Sequence, residues 1–332
     1  MKILLITFDW YGGLDKYVKT ALETCGEEVV VYNYERAQLS TLRHRILNRL
    51  KKMIRLNKIH DHNIICLAKE TRPDLIVIIK GATISADTYY NIKHELKIPF
   101  VVWWVDNPLA YAQSYPDIMV QLELADIVYC FDEYYIGLLK ELGFDNLQYL
   151  PNAGEPTYYR PESINNKIKE KYGSTISFIG TAYPDRVKLL KELGQYDLKV
   201  WGVGWGKSLL NIHCHDGVLN AEEVNLIFNA SQININLHHY QCISSPNQRI
   251  FDIALSGGFQ LAPRKSGIMD IFEEDKEMAY FSSLNELKEK INKYIVDTAA
   301  AKMMAKAARA KVLSAHTYQS RMKELLGYIK RR

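Results

Sequence analysis

Short apolar runs rich in β-branched and aromatic residues recur along the chain, each followed by a stretch of helical periodicity. In the first half they are 2–8 (KILLITF), 28–34 (EVVVYNY), 74–80 (DLIVIIK), 100–105 (FVVWWV), 126–131 (DIVYCF) and 146–150 (NLQYL). Most are continuously apolar, as strands are when helices cover both faces of a parallel sheet. The segment 151–174 (PNAGEPTYYRPESINNKIKEKYGS) holds three prolines and no apolar run, and reads as an interdomain connection. After it the pattern restarts with 175–180 (TISFIG), 198–203 (LKVWGV), 233–238 (ININLH), 259–262 (FQLA) and 278–281 (MAYF). Helices fall between these runs, notably over 184–194, 221–230 and 246–256. Strand–helix alternation implies right-handed βαβ units, and the architecture occurs twice. The predicted fold is α/β, with two Rossmann-like domains facing a cleft. The alanine-rich stretch 297–313 and a second stretch, 316–329, predict a helical tail. Lys330, Arg331 and Arg332 then suit a helix C-terminus.

Length and composition agree with this division. The chain has 332 residues, 48% apolar and 24% charged, which excludes disorder and fibrous repeats and leaves room for two domains of roughly 150 residues. No apolar run approaches the roughly 18 residues of a membrane span. The opening MKILLITFDW is too short for a signal-peptide core and reads as the first strand. Five scattered cysteines without a C-x-x-C pair suit a reduced, cytoplasmic protein. The net charge of +4 is unevenly spread. Residues 36–60 hold eight Lys/Arg and no acid, so the remainder has 34 basic against 38 acidic residues, a net of −4. Within that stretch Leu42, Ile46, Leu47, Leu50, Met53 and Ile54 recur at helical spacing, which predicts an amphipathic basic helix over 42–58. Two uses fit it: an apolar stripe on the sheet with a solvated basic face, or peripheral contact with an anionic membrane surface or acceptor. The local character of the charge argues against general polyanion or nucleic-acid binding.

Ligands of open α/β sheets bind beyond the carboxyl ends of the strands, so the strand-to-helix loops hold the candidate chemistry. Gly12-Gly13, after the first strand, can bring backbone close to a ligand at a helix start, or simply make a tight turn. Gly180-Thr181, followed by Arg186 one turn into a helix, forms a plausible diphosphate cradle, although Arg186 can equally pair with a surface carboxylate. In the block from Ser245 to Phe259, Asn247 precedes a helix on which Arg249 and Asp252 share a face, and Gly257-Gly258 end it. An Arg at a helix N-terminus suits a diphosphate and an Asp suits ribose hydroxyls; the plainer alternative is an i,i+3 salt bridge. Gly204 lies in a glycine-rich loop, Gly202-Val203-Gly204-Trp205-Gly206, that lacks the full dinucleotide spacing and reads as cleft lining. His238-His239 would emerge at a strand's carboxyl end near the ligand, or serve simply as core or edge histidines. His213-Cys214-His215-Asp216 offers metal-ligand residue types at a spacing that suits no standard site. No D-x-D triplet, P-loop or G-x-S-x-G elbow occurs, and no metal or cofactor is expected. Asp106, ending a strand before Asn107-Pro108, can serve as general base on an acceptor hydroxyl or cap the next segment. Asp9 and the pair Asp132-Glu133 sit in analogous loops as reserves.

These motifs resemble the bacterial CgeB-like (spore maturation protein) glycosyltransferases of GT-B fold. The likeness lies in SFIGTAYPDRVKLLKEL, VLNAEEVNLIFNASQININLHH, NQRIFDIALSGGFQLAPR and AHTYQSRMKELLGYI, with VVWWVDNP and YGGLDKYV similar to first-domain patterns. The resemblance implies transfer of a sugar from a nucleotide-sugar donor to a glycan, lipid-linked or protein acceptor. It implies an acceptor-side domain over 1–155, a donor domain over 156–314, and a C-terminal helix over 315–332 crossing back to the first. Gly180, Thr181 and Arg186 would approach the donor, Arg249 would neutralise the diphosphate as principal catalyst, and Asp252 would replace the usual glutamate on the ribose. Gly12, Gly13, Gly204, His238, Asn247, Gly257 and Gly258 complete the expected donor side. Ser244 stands where related retaining enzymes carry a glutamate, so the stereochemistry is open. A sugar-nucleotide epimerase and a non-catalytic sugar-nucleotide-binding protein remain as alternatives.

Overall fold

The computed structural model describes residues 1–9, 13–36, 57–206 and 212–329. It divides into two units, Met1–Pro151 with Arg321–Arg332, and Asn152–Ser320.

The first unit is built on a six-stranded sheet in the order β2-β1-β3-β4-β5-β6. Its strands are β1 (Lys2–Asp9), β2 (Glu28–Arg36), β3 (Leu75–Ile79), β4 (Phe100–Trp104), β5 (Ile127–Cys130) and β6 (Leu147–Tyr149). Every pairing is parallel. All residues of β3, β4 and β5 are buried, which is why these runs show no alternation in the sequence. The helix Leu14–Thr24 buries Leu14, Tyr17, Val18, Ala21 and Leu22, one stripe at helical spacing. From Arg321 onward the last helix, Tyr318–Ile329, belongs to this unit. Arg321 Nε donates to the Pro151 carbonyl (3.1 Å), Tyr129 Oη to the Leu325 carbonyl (3.4 Å) and Gln148 Nε2 to Tyr328 Oη (3.1 Å).

The second unit carries another six-stranded parallel sheet, ordered β12-β11-β10-β7-β8-β9. Its strands are β7 (Ser174–Ile179), β8 (Leu198–Gly202), β9 (His213–Asp216), β10 (Ser231–Ile235), β11 (Gln260–Pro263) and β12 (Ala279–Phe281). Counted within the unit this is the dinucleotide-fold order 3-2-1-4-5-6, whose topological switch lies between β7 and β10. In the first unit the switch lies between β1 and β3.

Two elements differ from expectation. The connection 151–174 contains a helix, Asn166–Tyr172, whose N-cap Asn165 accepts from Ile168 N (3.0 Å). Ile168 and Tyr172 pack on Trp201 and Ile227, and that burial stabilises a polar sequence as helix. The strand β9 is the other: its polar HCHD sequence gives no apolar signal, and it forms by pairing with β8 at the sheet edge, where His215 stacks on Trp201. Gly12, the stretch 37–56 that holds most of the basic helix read over 42–58, and the side chains of Asp9 and Lys58 lie outside the described residues. Among those described, no helix is long and apolar enough to cross a membrane.

Candidate functional site

The loops leaving β7 and β10 flank the switch of the second sheet. Gly180 ends β7, its N–H on the Trp201 carbonyl (2.9 Å) and its own carbonyl accepting from Trp205 Nε1 (2.6 Å). Gly202 passes so close, at φ 134°, that a Cβ there would stand 2.2 Å from the Gly180 oxygen. Only glycine permits this approach, which fixes the turn leading into exposed Thr181. Gly204, at the carboxyl end of β8, donates its N–H to Asp216 (2.7 Å) and borders Ala182.

Arg186 lies one turn into the helix Pro184–Lys191 and is only 8% exposed. Its Nη1 donates to the Thr181 carbonyl (3.2 Å) and its Nη2 to the Leu237 carbonyl beyond β10 (2.8 Å), while Nε has no partner. The guanidinium lies over the rings of Tyr183 (5.1 Å) and Phe178 (5.5 Å). Burial draws its pKa below the ordinary value, opposed by Tyr183 and Asp185, yet an arginine keeps its charge. A buried cation hydrogen-bonded to two main-chain carbonyls is thus presented at the switch point. His238 is beside it, likewise 8% exposed, with neither ring nitrogen hydrogen-bonded. Burial first, then the charges of Lys265 and Arg186, push its pKa down to about 3, so the imidazole is neutral.

The helix Gln248–Leu255 begins at Asn247, whose Oδ1 accepts from Ile250 N (3.1 Å) and whose Nδ2 donates to Asn236 Oδ1 (2.9 Å). Asn247 therefore ties the helix start to the end of β10 and spends its side chain largely on structure. Arg249 has 31% of its side chain exposed and holds Asp252 Oδ2 at 3.4 Å, the i,i+3 pair anticipated as the plainer reading. Asp252, the residue expected on the ribose, is buried. Its side chain is 1% exposed, because the helix buries every residue from Ile250 to Leu255. Burial raises its pKa to about 7 against the opposing effects of Arg249 and Gln248. Gly257 and Gly258 end the helix, as the sequence pattern implies. They follow the C-terminus of this helix, at the end remote from Asn247, and turn the chain into β11. A Cβ on Gly258 would approach Asn234 Nδ2 to 2.7 Å, so packing accounts for that glycine.

In the first sheet, Gly13 (φ 73°) precedes the helix Leu14–Thr24, and a Cβ there would meet the Tyr17 ring at 2.8 Å. Asp106 follows β4 with 35% of its side chain exposed. The capping role falls to its neighbour Asn107, which accepts from Leu109 N (3.0 Å) and Ala110 N (3.2 Å). Asp106 is instead ion-paired with Lys80, which closes the apolar run 74–80. Lys80 sits at φ 60° just past β3, its ammonium 3.3 Å from Tyr111 Oη and 4.7 Å from the centre of the Phe8 ring. Its backbone is held from below: Gln121 Nε2 donates to the Lys80 carbonyl (2.7 Å) and Tyr34 Oη to the Ile79 carbonyl (3.0 Å). The available signal was one lysine closing an otherwise apolar run. Asp132 is buried and caps the helix Glu133–Glu141 through Tyr134 N (3.1 Å), while Glu133 is exposed.

Residues 175–327 match a family described as glycosyl transferase-like. The chain is similar to the spore protein CgeB of Bacillus subtilis, 27% identical over 251 residues, which is 68% of this chain and 73% of that protein. Its fold is that of solved two-domain proteins. Sucrose-phosphate synthase from Thermosynechococcus elongatus superposes with a TM-score of 0.71 at 12% identity, covering 100% of this chain and 98% of the other. HepE from Anabaena, solved in complex with UDP-glucose, gives 0.66 at 14% identity with 100% of both chains covered. An α-glucosyltransferase in complex with UDP-glucose and DNA gives 0.65 at 12% identity, with 99% of both chains covered.

Proposed function

We propose that this chain, a glycosyltransferase of the two-domain GT-B fold, moves a sugar from a nucleotide-sugar donor held by the second unit to a hydroxyl of an acceptor held by the first. The observation that carries the reading is Arg186: a nine-tenths buried guanidinium at a topological switch point, hydrogen-bonded to two carbonyls. Keeping a charge there costs several kcal/mol unless an anion meets it, and a diphosphate is the anion that such a strand-end position suits. The solved relatives that bind UDP-glucose support a nucleotide-sugar as its source.

As the bond from the anomeric carbon to the phosphate oxygen breaks, its electron pair passes to the diphosphate, where Arg186 and Arg249 meet the growing charge. The acceptor oxygen forms the new bond to the same carbon and gives up its proton. Asp106, fixed by Lys80, orients that hydroxyl and takes the proton. Cationic side chains supply the stabilisation that a metal gives elsewhere, so transfer should persist in excess EDTA.

The test is a thermal-shift screen against UDP-, GDP-, dTDP- and CMP-sugars. A true donor at about 100 times its Kd adds about 2.7 kcal/mol of stability. The expected result is one stabilising class, with the effect lost in Arg186→Ala. Absence of stabilisation by every class would overturn the reading.

A further inference from the structure

Buried polar atoms without partners are few in native proteins, and each calls for a group to fill it. In the second unit three of them gather on two neighbouring side chains: Nε of Arg186 and both ring nitrogens of His238. The two are joined through the backbone, since Arg186 Nη2 donates to the carbonyl of Leu237, the residue before His238. Arg186, on the helix that follows β7, and His238, in the loop after β10, both lie at the β7/β10 switch point. The neighbouring loop is drawn in by Lys265, whose ammonium donates to the carbonyls of Cys242 and Ile243 (3.1 Å to the latter). We infer that His238 and Nε of Arg186 receive the junction of the donor, a distal-phosphate oxygen together with a hydroxyl of the sugar being transferred.

The reason lies in the imidazole. A neutral ring has one N–H and one bare nitrogen, so it is satisfied only by an acceptor on one side and a donor on the other. A phosphate oxygen is the acceptor and a sugar hydroxyl the donor; a nucleoside diphosphate alone fills half of this demand. Burial first, then the nearby cations Lys265 and Arg186, keeps the ring of the free protein neutral. His238 of the free protein therefore meets the donor as a neutral hydrogen-bonding group.

This inference rests on the proposed nucleotide-sugar transfer, and the experiment separates the two. Wild type, Arg186→Ala, His238→Ala and His238→Gln are titrated calorimetrically with the best stabilising nucleotide-sugar of the screen and with its nucleoside diphosphate. His238→Ala should weaken the nucleotide-sugar about 10- to 100-fold and the diphosphate clearly less. His238→Gln, which keeps a donor and an acceptor on one side chain, should recover part of the loss and guards against a folding defect. The ratio of wild-type to variant affinity should be the same at pH 6 and pH 8. Equal losses for both ligands would overturn the hydroxyl contact, and a ratio that grows at pH 6 would overturn the neutral imidazole. Wild-type affinity in His238→Ala, with binding still lost in Arg186→Ala, would sink the inference and leave the function standing. No binding of any nucleotide-sugar to wild type would sink both.

Discussion

Exchanging Asp252 for asparagine removes an ionisable group from the inside of the helix Gln248–Leu255 and should change how stability depends on pH. The folded carboxyl has its pKa near 7, against 3.8 for the unfolded chain, and burial is the main cause. Below 3.8 both states are protonated and the group is indifferent to folding. Between 3.8 and about 7 the folded state keeps a proton that the unfolded state has released, so stability falls as pH rises, by about 1.4 kcal/mol per unit. Above about 7 the loss levels off, at a ceiling on the order of 4 kcal/mol. Asparagine is neutral throughout, so the stability of Asp252→Asn relative to wild type should climb by about 2 to 3 kcal/mol between pH 5 and pH 8. Urea unfolding of both proteins at four pH values reads this directly, and any constant offset from the new amide drops out of the slope. A difference that stays flat over that range would mean that the carboxylate ionises as in water, and the burial argument for Asp252 would be wrong.

Other consequences are equally direct. Arg249→Ala should weaken donor binding less than Arg186→Ala, because Arg249 already shares its charge with Asp252 at 3.4 Å; calorimetry with the nucleotide-sugar ranks the two. Lys80→Met strips Asp106 of its ion-pair partner and should lower transfer about 100-fold, with hydrolysis of the donor by water much less affected; parallel assays of the two reactions check it. Gly202→Ala forces a side chain against the Gly180 carbonyl at φ 134° and should cost about 2 kcal/mol or more, seen as a lowered Tm. Gly258→Ala should cost about 1 to 3 kcal/mol through overpacking against Asn234, while donor affinity in the folded protein is unchanged.

Local apolar patterning was enough to read the architecture. A run such as DLIVIIK or FVVWWV is buried on both faces, and only a parallel sheet covered by helices places it so. A glycine closing such a run and an arginine in the helix that follows likewise made Gly180 and Arg186 candidates, because the segments after strand ends are where the chain can meet a ligand. Polar elements escaped the same reading. The edge strand β9 and the helix Asn166–Tyr172 carry little apolar periodicity and are stabilised by what they pair with or pack on. The site chemistry divided along that line. Which face of a helix is buried is settled by its neighbours, so Asp252 turned inward while Arg249 stayed at the surface, three residues away. Lys80 met Asp106 across 26 positions of sequence, a pairing that adjacent parallel strands create and no local pattern announces. The one-dimensional order thus determined which segments become strands, through the hydrophobic effect acting residue by residue. Which polar side chains face each other, and which are left without a partner, was decided only when the sheets assembled, because desolvation and hydrogen bonding depend on distances that the chain closes in three dimensions.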